Sequence, residues 1–228
     1  MTKLAKKYGE KVKLVESRQY PLDEAVTLIT QVSTTKFDGT AEVHVVLFTD
    51  PAQGDQQVRS TISLPHGTGK DICIAAIVPE DRAKEMLAAG AAKAGETNLI
   101  SAIEKGDLDF DVVVAVPSVM KSLGKVAKIL GQKGLMPSPK AGTVTEDPVK
   151  VIQELKKGRI EFRTDKQSII HSIFGKISFG DKKLAENLRV LLQAILDARP
   201  SSIKGDYVKS ITITPTMGPG IRVELKSL

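Results

Sequence analysis

Twice along this chain the hydrophobic pattern changes its rule, and those two changes constrain the fold more than any other feature of the sequence. Up to Gly67 the pattern is a short amphipathic helix and then β-rich runs. Leu22, Val26, Ile29 and Val32 fall near helical spacing behind Pro21, with Asp23 and Glu24 in the first turn, so residues 21–33 are expected as a helix. "TAEVHVVLF" and "VRSTISLP" follow, joined by the turn-forming "TDPAQGDQQ", and read as a hairpin. From Lys70 strands alternate with helices: "DICIAAIV", "EDRAKEMLAAGA", "FDVVVAV", "SVMKSLGKVAKILG" and, past a Gly/Pro loop, "DPVKVIQELKKG". Unbroken apolar strands separated by helices are what a parallel sheet covered on both faces requires. After Gly158 the first rule returns, with "RIEFRT", "SIIHSIF", the long helical pattern "DKKLAENLRVLLQAILDAR" stopped by Pro200, and the strand-like "YVKSITITP" and "GIRVEL".

Neither outer part carries enough apolar surface to stand alone. The expected fold class is an α+β split domain formed by both chain ends, 1–67 plus 159–228, with an inserted α/β three-layer, Rossmann-like domain at 68–158. "PHGTGK" and "KKGR" make the two crossings, and Gly67, Gly69 and Gly158 are the candidate hinge residues.

The sequence offers little to catalysis. "PHGTGK" ends a strand in Gly-Lys, yet no Gly stands four residues before that pair, Asp71 sits where Ser or Thr is needed, and a strand follows instead of a helix. A nucleotide-binding α/β enzyme is therefore the second reading, and it lacks both its phosphate loop and its polar cluster. His44, His66 and His171 are far apart in sequence and have no partners at metal or nucleophile spacing, so no catalytic residue, metal or cofactor is expected. His44 alternates with Val43 and Val45 and should point off the core face. The one cysteine, Cys73, cannot form an internal disulfide; it is expected in the core, and a reduced cytoplasmic home follows. No segment has the length of a signal peptide's apolar region or of a membrane span, so no membrane partner is expected.

The charge permits a polyanionic partner without establishing one, and its position says more than its total. The net charge is +6, with 12 basic against 7 acidic residues in 159–228, while residues 112–145 hold Lys121, Lys125, Lys128, Lys133 and Lys140 and no acid. "TTKFDGTAEVHV" gathers a cation, a ring and a hydroxyl at the start of a strand, the groups that meet phosphate, base face and ribose in RNA. The same run also reads as an ordinary turn with Phe37 in the core. "TPTMGPGIRV" contains no acid, base or thiol from Thr216 to Gly220; its small residues and rigid Pro219 suit close contact better than chemistry.

"KFDGTAEVHV", "VRSTISLPHGTGK", "GKVAKILGQKGLMPSPKAGTV" and "GDYVKSITITPTMGPGIRV", in this order over nearly the whole chain, resemble the family of large-subunit ribosomal protein number one, the stalk protein beside the tRNA exit site, in its bacterial type. The resemblance implies a structural, non-enzymatic component that binds large-subunit ribosomal RNA, assists release of deacylated tRNA from the exit site and represses translation of its own operon by binding the messenger RNA. It also implies a monomer when free of the ribosome. Carried over by position, RNA contact falls on Lys36, Phe37, Thr40, Glu42, Thr216, Met217 and Gly218; Arg163, Lys166, His171 and Lys176 are a second group of RNA-binding candidates beside them. A Cβ at Gly218 is expected to hold the RNA away or to force the turn open, and Thr216 to offer its hydroxyl to a ribose. Gln132, Lys133 and Ser138 depart from the Pro, Arg and Asn common in relatives, which puts a bidentate phosphate contact there in doubt.

Overall fold

The protein is described from a computed structural model covering residues 6–225. In chain order its helices and strands are α1 (Lys6–Val12), α2 (Leu22–Val32), β1 (Thr40–Leu47), β2 (Arg59–Ser63), β3 (Ile74–Ile77), α3 (Glu80–Ala89), β4 (Lys93–Gly95), α4 (Thr97–Glu104), β5 (Val112–Ala115), α5 (Met120–Leu123), α6 (Ala127–Lys133), α7 (Pro148–Lys156), β6 (Arg159–Arg163), β7 (Ile169–Lys176), α8 (Gly180–Asp197), β8 (Val208–Pro215) and β9 (Ile221–Val223). They fall into two compact units. One comprises the described parts of Met1–Gly69 and Ile160–Leu228, the other Lys70–Arg159.

The first unit is built on a four-stranded sheet in the order β7-β1-β8-β9, antiparallel throughout. Along β1 burial alternates strictly: Ala41, Val43, Val45 and Leu47 are enclosed, while Thr40, Glu42, His44 and Val46 stay half-buried on the other face. The enclosed face shares one core with Val26 and Ile29 of α2 and with Leu184, Leu188 and Leu191 of α8. Each such side chain contributes about 1.5–3 kcal/mol by leaving water. The expected hairpin is not formed: β1 pairs with β7 and β8, whereas β2 joins β6 in a separate two-stranded sheet. The turn residues between β1 and β2 reverse the chain but do not choose a partner. Pairing with β7 and β8 gives β1 neighbours whose own inner residues, Ile170, Phe174, Ile211 and Ile213, complete its core face.

The second unit is a parallel sheet in the order β4-β3-β5, with all four residues of β3 buried. Ala75 and Ile77 pack toward Ile103 of α4 and Leu130 of α6 on one face. Ile74 and Ala76 pack toward Met86 of α3 and Ile152 of α7 on the other, which makes three layers. Three details differ from expectation. The run "SVMKSLGKVAKILG" is not one helix but a 3-10 turn, α5 and α6, broken at residues 124–126, where the Gly124 and Val126 amides bond three residues back. The stretch "AAKAGETNLISAIE" supplies β4 and α4, which its small residues conceal. Cys73 is exposed: the enclosed strand begins only at Ile74, and Cys73 lies just outside it with its amide held by the Asp111 carboxylate at 3.0 Å.

The chain passes between the units at Gly69/Lys70 and Arg159/Ile160. Gly67, Gly69 and Gly158 have φ of 67°, 70° and 98°, in the left-handed region that glycine adopts at little cost. Before the first passage the chain is tied to α8 by Asn187, which is fully buried. Its Nδ2 donates to the carbonyls of Gly67 (2.9 Å) and Phe174 (2.8 Å), and its Oδ1 accepts from the His66 amide (3.1 Å). Among the described residues no helix is long and apolar enough to cross a membrane, and no group of three His, Cys, Asp or Glu is placed to hold a metal ion.

Candidate nucleic-acid interface

Strand register brings two distant motifs to one end of the sheet. β1 and β8 pair with Ala41 opposite Pro215, so the loop leading into β1 and the turn leaving β8 lie side by side. The Thr216 amide donates to the Thr40 carbonyl at 3.0 Å, and the Thr34 hydroxyl donates to the Met217 carbonyl at 2.7 Å. Lys176, at the end of β7, joins them by donating from Nζ to the Thr40 hydroxyl at 3.0 Å.

The loop from 34 to 39 is fixed mainly by its own polar residues. The Thr35 hydroxyl donates to the Phe37 carbonyl (2.9 Å), and the Asp38 carboxylate accepts from the amide (3.0 Å) and hydroxyl (2.6 Å) of Ser178. The Ser178 hydroxyl bond holds the Asp38 carboxyl below the usual carboxylate range. The pin is therefore complete at neutral pH and is lost as pH falls through that depressed range. What the loop presents outward is Lys36 and Phe37, the latter 70% exposed. The reading that placed Phe37 in the core is overturned: the core side of this loop is occupied by Gly39, and the ring projects the other way.

Met217 is likewise 60% exposed, so a ring and a thioether stand at the same end of the sheet with Lys36 nearby in sequence. Large apolar side chains left in water beside cations suit a stacked base next to its phosphate. Thr216 differs from expectation, because its hydroxyl is already engaged, donating to Glu42 Oε1 at 2.5 Å. It fixes the carboxylate of Glu42, and Glu42 is the acceptor this end of the sheet offers. At Gly218 the structure supports the second of the two expected costs, a turn forced open. A Cβ there would strike the Pro215 ring, with Cδ at 3.1 Å, and approach the Val32 carbonyl to 3.2 Å, so the glycine is needed by the protein's own packing.

The second group divides. Lys176 belongs with the first, as above, while Arg163, Lys166 and His171 line an open cleft of about 790 Å³ beside the β2–β6 ribbon. His171 stands opposite His44 across β7 and β1, and their Nδ1 atoms lie 2.8 Å apart. Burial and the neighbouring His171 hold the His44 imidazole below its ordinary value, so His44 is neutral at pH 7. Residue-level reading missed this pair, and also the roles of Thr34, Asp38, Ser178 and Asn187. The runs "TTKFD" and "KISF" held the only signal, hydroxyls and a carboxylate flanking an exposed ring.

A family model describing the ribosomal protein L1p/L10e family matches residues 29–219 of the 228. The chain belongs to that family. Membership makes it a ribosomal protein, with large-subunit ribosomal RNA as its partner, and sets it among structural proteins, not enzymes. The matched span of this L1p/L10e member includes Lys36 and Phe37 as well as Thr216, Met217 and Gly218.

Proposed function

We propose that this protein grips a structured segment of large-subunit ribosomal RNA with the end of its four-stranded sheet, through Lys36, Phe37, Thr40, Glu42, Lys176, Thr216, Met217 and Gly218. The observation that carries the reading is the juxtaposition of an exposed Phe37 with an exposed Met217 on two pinned loops. The grip resides in the first unit. The second unit is the moving part, turning about Gly67, Gly69 and Gly158 as the stalk assists release of deacylated tRNA from the exit site, with its acid-free lysine run turned to that tRNA. The same sheet end binds the operon's own messenger RNA and represses its translation. The protein is a cytoplasmic monomer when off the ribosome, of the bacterial type.

The direct test is Phe37→Ala. Losing one stacked ring should weaken binding to large-subunit ribosomal RNA by about 2 kcal/mol, roughly thirtyfold, in a filter-retention titration. Because the ring is exposed, the melting temperature should stay within about 2 °C of the parent. Unchanged affinity would remove Phe37 from the interface. A joined chain of residues 1–69 and 160–228 tests the division of labour: it should fold and keep RNA affinity within about tenfold. Folding with a hundredfold loss would make the second unit a main binder.

A further inference from the structure

The cleft beside the β2–β6 ribbon lies away from the Phe37 and Met217 loops and has a chemistry of its own. Gln57, Val58 and Arg59 form one wall, Arg163 to Lys166 another, and His171 and Pro51 complete it. The carboxylate that lines it, Asp165, is already engaged, and so is Glu161, which lies outside the lining. Glu161 is paired with Arg59, and Asp165 accepts the amides of Gln167 and Ile169, each at 2.8 Å, while its other oxygen faces His171 Nε2 at 3.5 Å. Arg163 and Lys166, by contrast, have no carboxylate partner among the described residues. The cleft therefore presents two cations that are in no ion pair, beside an Asp165 whose oxygens are directed at backbone amides and His171.

His171 is held from both edges. Nδ1 meets His44 at 2.8 Å and Nε2 faces Asp165, so the two ring nitrogens are taken and the side chain is still 53% exposed. What such a ring has left to offer is its face. Arg163 is across from it, one step beyond the bridge that pairs Thr164 with Ile170. Gln57 uses one amide hydrogen on the Pro51 carbonyl at 3.3 Å, which leaves its own carbonyl and its second N–H for a polar edge. A fixed ring face, an amide and two cations around a hollow of this volume match one nucleotide.

We propose that this cleft takes a single unpaired nucleotide of the bound RNA, its base stacked on His171 with an edge at Gln57, and its phosphate against Arg163 and Lys166. The inference rests on the RNA-binding reading above and adds to it a requirement: the RNA must contain a bulged or looped-out residue, because a paired base cannot leave its stack to enter.

The test is an amide NMR titration of the full chain with each of the four 5′-mononucleotides, and with inorganic phosphate as the control. At least one nucleotide should shift Gln57, Arg163, Lys166 and His171 at concentrations where phosphate does not. His171→Ala should weaken that nucleotide at least fivefold, and His171→Phe, which keeps a ring face, should restore it. Lys166→Ala should weaken all four nucleotides alike. The proposal is overturned if phosphate alone reproduces the shifts, if no nucleotide moves the cleft, or if His171→Ala binds like the parent. Filter retention of large-subunit ribosomal RNA by the parent chain separates the two levels. Retention with an unresponsive cleft sinks only the nucleotide site, whereas no retention sinks the RNA reading itself.

Discussion

Asn187→Ala is expected to destabilise the protein by at least about 3 kcal/mol, lowering its melting temperature by roughly 6–12 °C. The residue is fully buried, and its amide satisfies two carbonyls and one N–H from two separate segments. Truncation leaves three backbone groups without partners and opens a void, and each unpaired group costs about 1–3 kcal/mol. Asn187→Asp should be nearly as damaging, since a carboxylate can accept from His66 but cannot donate to the Gly67 and Phe174 carbonyls. At temperatures where the variants remain folded, RNA affinity should change little, because Asn187 lies in the interior. A stability loss below about 1 kcal/mol in a denaturant titration would show that water takes over these bonds.

Gly218→Val carries the second large effect, and it strikes fold and function together. The added Cβ meets the Pro215 ring and the Val32 carbonyl, and overpacking of this kind costs about 1–3 kcal/mol. Relief requires the 216–220 turn to open, which moves Met217 and releases the Thr34 bond to its carbonyl. RNA affinity should then fall by at least about 2 kcal/mol, measured under conditions where the variant is folded. Gly218→Ala should show the same pair of losses at reduced size. Lost affinity with an unchanged melting temperature would mean the turn yields without strain and the valine clashes with RNA alone.

Local order was well expressed in the sequence, and partner choice was not. The alternation from Ala41 to Leu47 gives the inner face of β1 directly, because a strand's period is two. That β1 pairs with β7 and β8, and not with β2, depends on which distant strands complete the core, a competition no local window contains. The same limit hid the site's assembly. "KFDGT" and "TMGPG" were each readable as contact motifs, since composition and backbone freedom are local. Their adjacency, and the engagement of the Thr216 hydroxyl by Glu42, follow from the Ala41–Pro215 register. His44 and His171, judged separately, had no partners; register made them partners of each other. Cys73 was misplaced because an apolar run does not mark where enclosure starts, and for Phe37 the exposed ring removes the core alternative and leaves the contact reading.

The order of the strands also sets a timetable. A chain is made from its N-terminus, so β1 emerges long before β8 and β9, with the whole of Lys70–Arg159 and its self-contained sheet made in between. At ordinary synthesis rates of about 5–20 residues per second, the interval is roughly 10–30 s. Until β7 is made, both edges of a strand rich in valine are without their final neighbours, and the β8 edge stays so until the end, the condition under which strands pair with the wrong chain. The RNA grip proposed above could not form any earlier, since half of it is the turn that follows β8. If the proposed grip is right, a nascent chain gains it only once β8 and the turn after it have been made.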